Sequence, residues 1–455
     1  MRINLKYSLF LFALVLGVVA CSNSKNNLTG SRKISDDSLL TLVQKKTFEY
    51  FWNGAEPHSG MARERINING VYPQHDKNIV ATGGSGFGVM AILVGMKRGF
   101  ITRQQGILRL QRITNFLANA DRFHGAWPHW LHGKTGKVKP FSKKDDGGDL
   151  VETAYMVQGL ICARQYLRKM HTKKAHELAA KMNKLWRQVN WNWYRKGGKD
   201  ILYWHWSPDY GWAMNFPIKG YNETLITYIL AASSPTHGVP AAVYHKGWAR
   251  GGAIDEPVTT YGYKLALRHD GAKKYGGPLF WAHYSYLGLD PHGLHDQYAN
   301  YWKENKDQTL INREWCIKDP DGYKGYGKND WGLTASYDMK KNGKIGYAAH
   351  QPGKDDGVIA PTAALSSFPY TPKYSMKVLK NFYYNLGDSL WGRYGFYDAF
   401  RKGKNWYPKR YLAIDEGPIV DMIENYRSGF LWKLFMSAPE IKRGLKKLGF
   451  SSPDI

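Results

Sequence analysis

With 455 residues, 43% of them hydrophobic, the chain has enough apolar mass for a large core, and its three cysteines exclude a scaffold built on disulfides. The formal charge of +27 is spread along the whole sequence, so there is no concentrated basic run pointing to nucleic acid, and an anionic polymer or membrane face is compatible with it. The 17 Trp, 31 Tyr and 18 Phe lie largely in glycine-rich polar contexts, where flat rings with a polar edge suit the C–H faces of sugars.

Residues 1–21 read as an export signal. Arg2 and Lys6 precede an apolar run at 8–19 that is too short to span a membrane as a mature helix. Val18-Val19-Ala20-Cys21 resembles a bacterial lipobox. Cys21 is therefore expected to carry a lipid anchoring an exported lipoprotein in the periplasm or outer membrane of a Gram-negative cell, and Ser22 after it leans toward the outer membrane. Residues 22–34 form a polar tether, and 35–455 read as a single domain.

Ser35-Asp36-Asp37 caps a first helix that turns Leu39, Leu40, Val43, Phe48, Phe51 and Trp52 inward. Helical patterns follow at 85–99, stopped by Gly99, and at 102–120, opened by Thr102. A second pair covers 149–170 and 174–189, and further patterns cover 223–232, 297–312, 375–386, 418–436 and 439–448. The connections 123–148, 194–221 and 314–361 are long and aromatic; loops of that length are functional or disordered, and these are too aromatic for disorder. Lys134-Thr135-Gly136-Lys137 marks a small hairpin in the first. The predicted fold is all-α, a toroid of about six helical hairpins with the long loops converging on one face.

Acids are scarce enough that their groupings stand out. Asp145, Asp149 and Glu152 gather at the mouth of the 149–170 helix, where Asp149 and Glu152 share a face. Asp149 with Glu152 also fits a capping box. Glu223 opens the apolar 224–232 segment after a loop holding Trp204, His205, Trp206, Tyr210 and Trp212. A carboxyl among apolar walls has a raised pKa, as a general acid requires, while a Glu at a helix start is equally explained by the helix dipole. Asp415 and Glu416 precede Pro418, which suits a first helical position, so both are expected to project from the loop before it. Asp355 and Asp356 sit on a turn that suits structural or substrate-binding use.

Two carboxyl groups across a scissile bond are what glycoside hydrolysis asks for. His124, His129 and His132, like His292 and His295, lack a helical zinc spacing, so no metal is expected and their hydrogen bonding to sugar or backbone is favoured. No phosphate-binding glycine loop or nucleophilic serine elbow occurs, and no cofactor is expected.

Taken together, these segments resemble the glucoamylase-like family that includes the β-1,2-glucanases of glycoside hydrolase family 144. The resemblance rests on Val151-Glu152-Thr153-Ala154 with Val157-Gln158-Gly159-Leu160, on Asn222-Glu223 with AASSPTH at 231–237, and on NDWGLTAS at 329–336. DGVIAPTAA at 356–364, YGFYDAF at 394–400 and ENYRSGFLWKL at 424–434 complete it. The resemblance implies an (α/α)6 toroid, six hairpins, that hydrolyses β-1,2-glucan with inversion, either internally or by releasing sophorose from an end. It implies Glu223 as proton donor, and Asp415 or one of Asp145, Asp149 and Glu152 as the group that activates water. Trp127, Trp204, Trp212 and Trp331 are expected to line sugar subsites, with His129, Asn222, Asp356 and Glu416 as further substrate contacts. Two rivals remain open: a polysaccharide lyase on the same toroid, and a non-catalytic glycan-binding lipoprotein.

Overall fold

The computed structural model describes residues 33–272 and 274–455. The signal at 1–21, the lipidation site Cys21 and residues 22–32 of the tether lie outside the described residues. Among the described residues the chain is mainly helical, in the order α1 (Asp36–Trp52), α2 (Thr82–Arg98), α3 (Arg103–Asn119), α4 (Leu150–Arg168), α5 (Lys173–Arg187), α6 (Leu225–Ser233), α7 (Tyr301–Lys318), α8 (Pro361–Leu365), α9 (Pro372–Lys380), α10 (Gly387–Leu390), α11 (Ala413–Ser428), α12 (Phe430–Met436) and α13 (Pro439–Lys447). No described helix is long and apolar enough to cross a membrane.

The helices are of two kinds. Nearly every residue of α2, α4, α6 and α11 is buried, as expected of helices walled by protein on all sides. By contrast α3, α5 and α13 bury only one stripe. The inner helices touch one another: α4 packs on α2 and α6, α2 on α11, and the outer α5 and α13 back onto α4 and α6. Glycine makes the central crossing possible. A Cβ on Gly159 would stand 2.3 Å from the Gly86 carbonyl oxygen, and one on Gly86 would stand 2.4 Å from that of Tyr155, so the α2 and α4 backbones meet with nothing between them.

The expectation of an all-α chain is corrected in its loops. Residues Ile79–Ala81, Trp130–His132 and Val138–Lys139 form a three-stranded antiparallel sheet that includes the predicted 134–137 turn. Gly148–Asp149 pairs with His205–Trp206, and Ala335–Met339 with Ile345–Ala349. Buried loop backbone must find partners, and short ladders supply them.

Two helices also differ from expectation. The 418–436 pattern is α11 and α12, separated by Gly429 at φ 61°, and α11 begins five residues before Pro418, which lies inside it. The 297–312 pattern starts only after the Asn300 cap, because Asp296 accepts from the Tyr298 and Ala299 amides and holds a turn there; it then runs on to Lys318. Cys162 and Cys316 are both free and buried, so they do not pair.

Candidate active site

Asp149 is the hub of the first acid group. It caps α4 as expected, its Oδ1 accepting from the Val151 and Glu152 amides at 3.0 and 2.9 Å. The capping box does not form: the Asp149 amide donates to the Trp127 carbonyl, and the Glu152 carboxylate turns instead to the Gly83 amide at the start of α2, 2.7 Å away. Asp149 Oδ2 faces two rings, His129 Nδ1 at 3.0 Å and His205 Nε2 at 3.4 Å, and His205 Nε2 also lies 3.2 Å from Asp145. The strand pairing sets His205 directly across from Asp149. Sequence reading placed His205 only in an aromatic loop, because a cross-strand register is invisible without the fold.

The charges in this network follow from its geometry. Burial opposes a charged His129, yet the Glu152 charge and the Asp149 hydrogen bond hold it up to about 9. Burial is likewise outweighed at His205, also at about 9, by hydrogen bonds to Asp145 and Asp149. Burial alone would raise Asp149, but the two rings keep it well below the usual carboxylate range. Both imidazoles are therefore protonated at neutral pH. His129, Asp145 and Asp149 hold metal-ligand-type atoms within 4.8 Å of one another, but imidazolium rings present N–H groups rather than lone pairs, which does not suit a cation.

Two acids near this pair are pushed the other way. Burial, reinforced by the charges of Asp149 and Asp145, moves Glu152 up to about 7. Glu223, half-buried, is moved up to about 8, first by desolvation and then by the charges of Asp270, Glu152 and Asp149. Asn222 and Ser285 fix it: Asn222 Oδ1 accepts from the Thr224 amide at 3.0 Å, and Ser285 Oγ donates to the Glu223 carbonyl at 2.6 Å. Asn222 thus has its carbonyl committed to the turn that presents Glu223.

A tyrosine bridge joins Glu223 to the third acid group. The Tyr155 hydroxyl donates to the Glu223 carbonyl at 3.4 Å, its ring meets Tyr284 edge-on at 5.7 Å, and the Tyr284 hydroxyl donates to Asp415 Oδ1 at 3.5 Å. Contrary to expectation, Asp415 and Glu416 do not project from a loop; both are 1% exposed in the first turn of α11. Burial, then the charge and hydrogen bond of Asp398, push Asp415 far above the carboxylate range, while Asp398 is raised to about 6. Asp415 therefore holds the proton and donates to Asp398. Burial and Asp398 also hold Glu416 far up. Asp398 was not singled out from sequence, although it lies in the YGFYDAF segment.

Two of the four expected sugar platforms are corrected. Trp127 and Trp331 are both 0% exposed. The Trp127 indole N–H donates to the Leu117 carbonyl and its ring is covered by Arg122, so these rings fill the core. Trp212 is half-buried edge-on against Tyr194 and Tyr203. Trp204 is half-buried and stacks at 5.2 Å and 12° on the exposed Phe216, and at 5.9 Å and 18° on His205. Phe141, exposed and 4.4 Å from His129, offers a second rim; neither phenylalanine carried any signal in the sequence. Asp356 is distant from this network in its contacts and pairs with Asp338 and His350.

A family model described as "Putative glucoamylase" matches residues 215–439. An endo-β-1,2-glucanase from Chitinophaga pinensis, solved with sophorotriose and glucose, is 61% identical with a TM-score of 0.91, over 93% of this chain and 100% of that one. An exo β-1,2-glucooligosaccharide sophorohydrolase from Parabacteroides distasonis is 45% identical over 436 residues, 91% of this chain; the chain spans 58% of that relative's length. The endo-β-1,2-glucanase of Talaromyces funiculosus, only 11% identical with a TM-score of 0.63, shares the fold alone. A relative matched over its whole length at 61% identity leaves no second assignment: the chain belongs to the glucoamylase-like family that includes the β-1,2-glucanases of glycoside hydrolase family 144.

Proposed function

We propose that the protein hydrolyses β-1,2-glucan by acid/base catalysis with inversion. The observation that carries the reading is the half-buried Glu223, protonated at neutral pH beside the permanently ionised Asp149. Glu223 gives its proton to the leaving glycosidic oxygen. The water-activating carboxylate comes from the Asp145–Glu152 group. Asp149 has both oxygens committed, and Asp415 holds a proton, so Asp145 and Glu152 are left as candidates; Asp149 and the two imidazolium rings fix their position and field. Trp204, Phe216 and Phe141 supply ring faces beside these acids.

Internal cleavage is favoured by similarity to the Chitinophaga pinensis enzyme along its full length; release of sophorose is the alternative. The fully buried inner helices with amphipathic ones behind them support an (α/α)6 toroid. Export and lipid anchoring rest on the lipobox-like Val18–Cys21 alone: Cys21→Ala should move the protein from the membrane to the soluble fraction.

The test is digestion of linear β-1,2-glucan with product sizing over time. A ladder of short oligosaccharides supports internal hydrolysis, and a single disaccharide supports end-wise release. Products absorbing in the ultraviolet would mean lyase chemistry, and binding without any cleavage would mean a glycan-binding protein.

A further inference from the structure

The hairpin of Ala335–Met339 and Ile345–Ala349 ends in a group of side chains that the proposed hydrolysis does not use. Asp338 lies on its first strand, opposite Gly346, and His350 immediately follows its second. The turn after His350 brings back Asp356. One donor atom from each of Asp338, His350 and Asp356 lies within 4.8 Å of the other two. Asp338 and His350 are only 6% and 3% exposed, and His350 Nδ1 stands 3.3 Å from Asp356 Oδ1. Asp338 Oδ1, Asp356 Oδ1 and His350 Nε2 are buried with no hydrogen-bond partner.

Such an arrangement is costly without a cation. Two largely buried carboxylates gathered this closely repel one another when both are ionised. The imidazole of His350, 3% exposed between them, offers a ring nitrogen of the kind that ligates cations. The nearby cations compensate only in part. Lys340 Nζ is 3.7 Å from Asp338 Oδ2, on the oxygen that is not orphaned, and Arg401 acts on Asp356 and His350 through its charge. Buried polar atoms without partners are rare in folded chains, and here three of them belong to side chains from separate segments that meet in one cluster.

We propose that Asp338, His350 and Asp356 bind a divalent transition-metal cation through two carboxylate oxygens and one imidazole nitrogen, with the remaining positions filled by water. A mixed oxygen and nitrogen set of this kind suits Zn²⁺ or Mn²⁺ better than an all-oxygen cation such as Ca²⁺. The ion ties the hairpin to the loop at 355–357, and that hairpin carries Tyr347, which lies in the field of Asp415 and Asp398. The role is structural: the site closes a segment over the acids without joining the reaction.

The experiment is calorimetric titration of the chelator-treated full chain with Zn²⁺ and, separately, Mn²⁺ at slightly alkaline pH, with the melting temperature followed in parallel. One cation per chain and a higher melting temperature are expected. Asp356→Asn, at the more exposed position, and His350→Ala should each weaken binding at least tenfold while circular dichroism shows them folded; should His350→Ala not fold, Asp356→Asn decides alone. Asp145→Asn should bind as the unsubstituted chain does. The proposal is overturned if neither metal binds at millimolar concentration, if binding survives the Asp356 and His350 substitutions, or if Asp145→Asn abolishes it.

Discussion

Replacing Asp149 with Asn isolates the charge at the centre of the site. Asn is as good an N-cap as Asp, so the two bonds to the Val151 and Glu152 amides persist, and only the anion facing His129 and His205 is lost. Each ring is raised from 6.5 to about 9, a rise that Asp149 shares with Glu152 at His129 and with Asp145 at His205, so at about 1.4 kcal/mol per pH unit roughly 3 kcal/mol is the upper bound on its share for one ring. The rings share one carboxylate, so the two contributions do not add; breaking a buried ion pair typically costs about 3–5 kcal/mol. With an unfolding entropy near 2.1 cal/mol/K per residue over about 420 residues, the expected fall in Tm is about 3–6 °C. Because both folded values lie above the unfolded one, this stabilisation is complete below pH 6.5 and is lost as pH rises through about 9. Calorimetry of the two proteins at pH 6 and pH 9.5 should therefore show a gap that narrows at the higher pH. An equal Tm shift at both pH values, or none at pH 6, would refute the imidazolium–carboxylate account.

Other substitutions probe the neighbouring features. Glu223→Gln should lower kcat by about 10²–10⁴-fold and remove the alkaline limb near the value of about 8, while sophorotriose binding measured by calorimetry is retained. Asp398→Asn keeps an acceptor for the Tyr337 amide and removes a buried charge. A raised acid stabilises the fold below its unfolded pKa and loses that contribution as pH rises through about 6, so the variant should gain up to about 3 kcal/mol over the natural chain in urea titrations above pH 6. Gly159→Ala drives a methyl into the Gly86 carbonyl and should cost at least about 1–3 kcal/mol, seen as a lower urea midpoint.

How much of this was legible beforehand depends on whether the signal was local. The α4 start could be read because Asp149 caps it through its own neighbours, and α3 because Thr102 and Gln105 form a complete capping box. Burial was harder. Trp127 and Trp331 stand in glycine-rich surroundings like those of Trp204, and only packing distinguishes a core ring from an exposed one. The place of Asp415 was misjudged because Pro418 suggested a helix start, whereas Ala413 already begins it after the strand Arg410–Leu412. His205 and Asp398 act through partners more than 50 residues or one strand register away, information a linear pattern does not contain. The acid groups themselves were visible because acids are scarce in a chain of this charge.

The two buried cysteines, Cys162 and Cys316, turn the fold into its own reporter. Burial raises both thiols far above their ordinary value, so a thiolate-seeking reagent meets neither in the closed protein. Cys162 is on α4 at the centre and Cys316 is near the end of α7. Uptake of label at each position, read by mass spectrometry, therefore clocks how often those two regions breathe open, independently of any glucan.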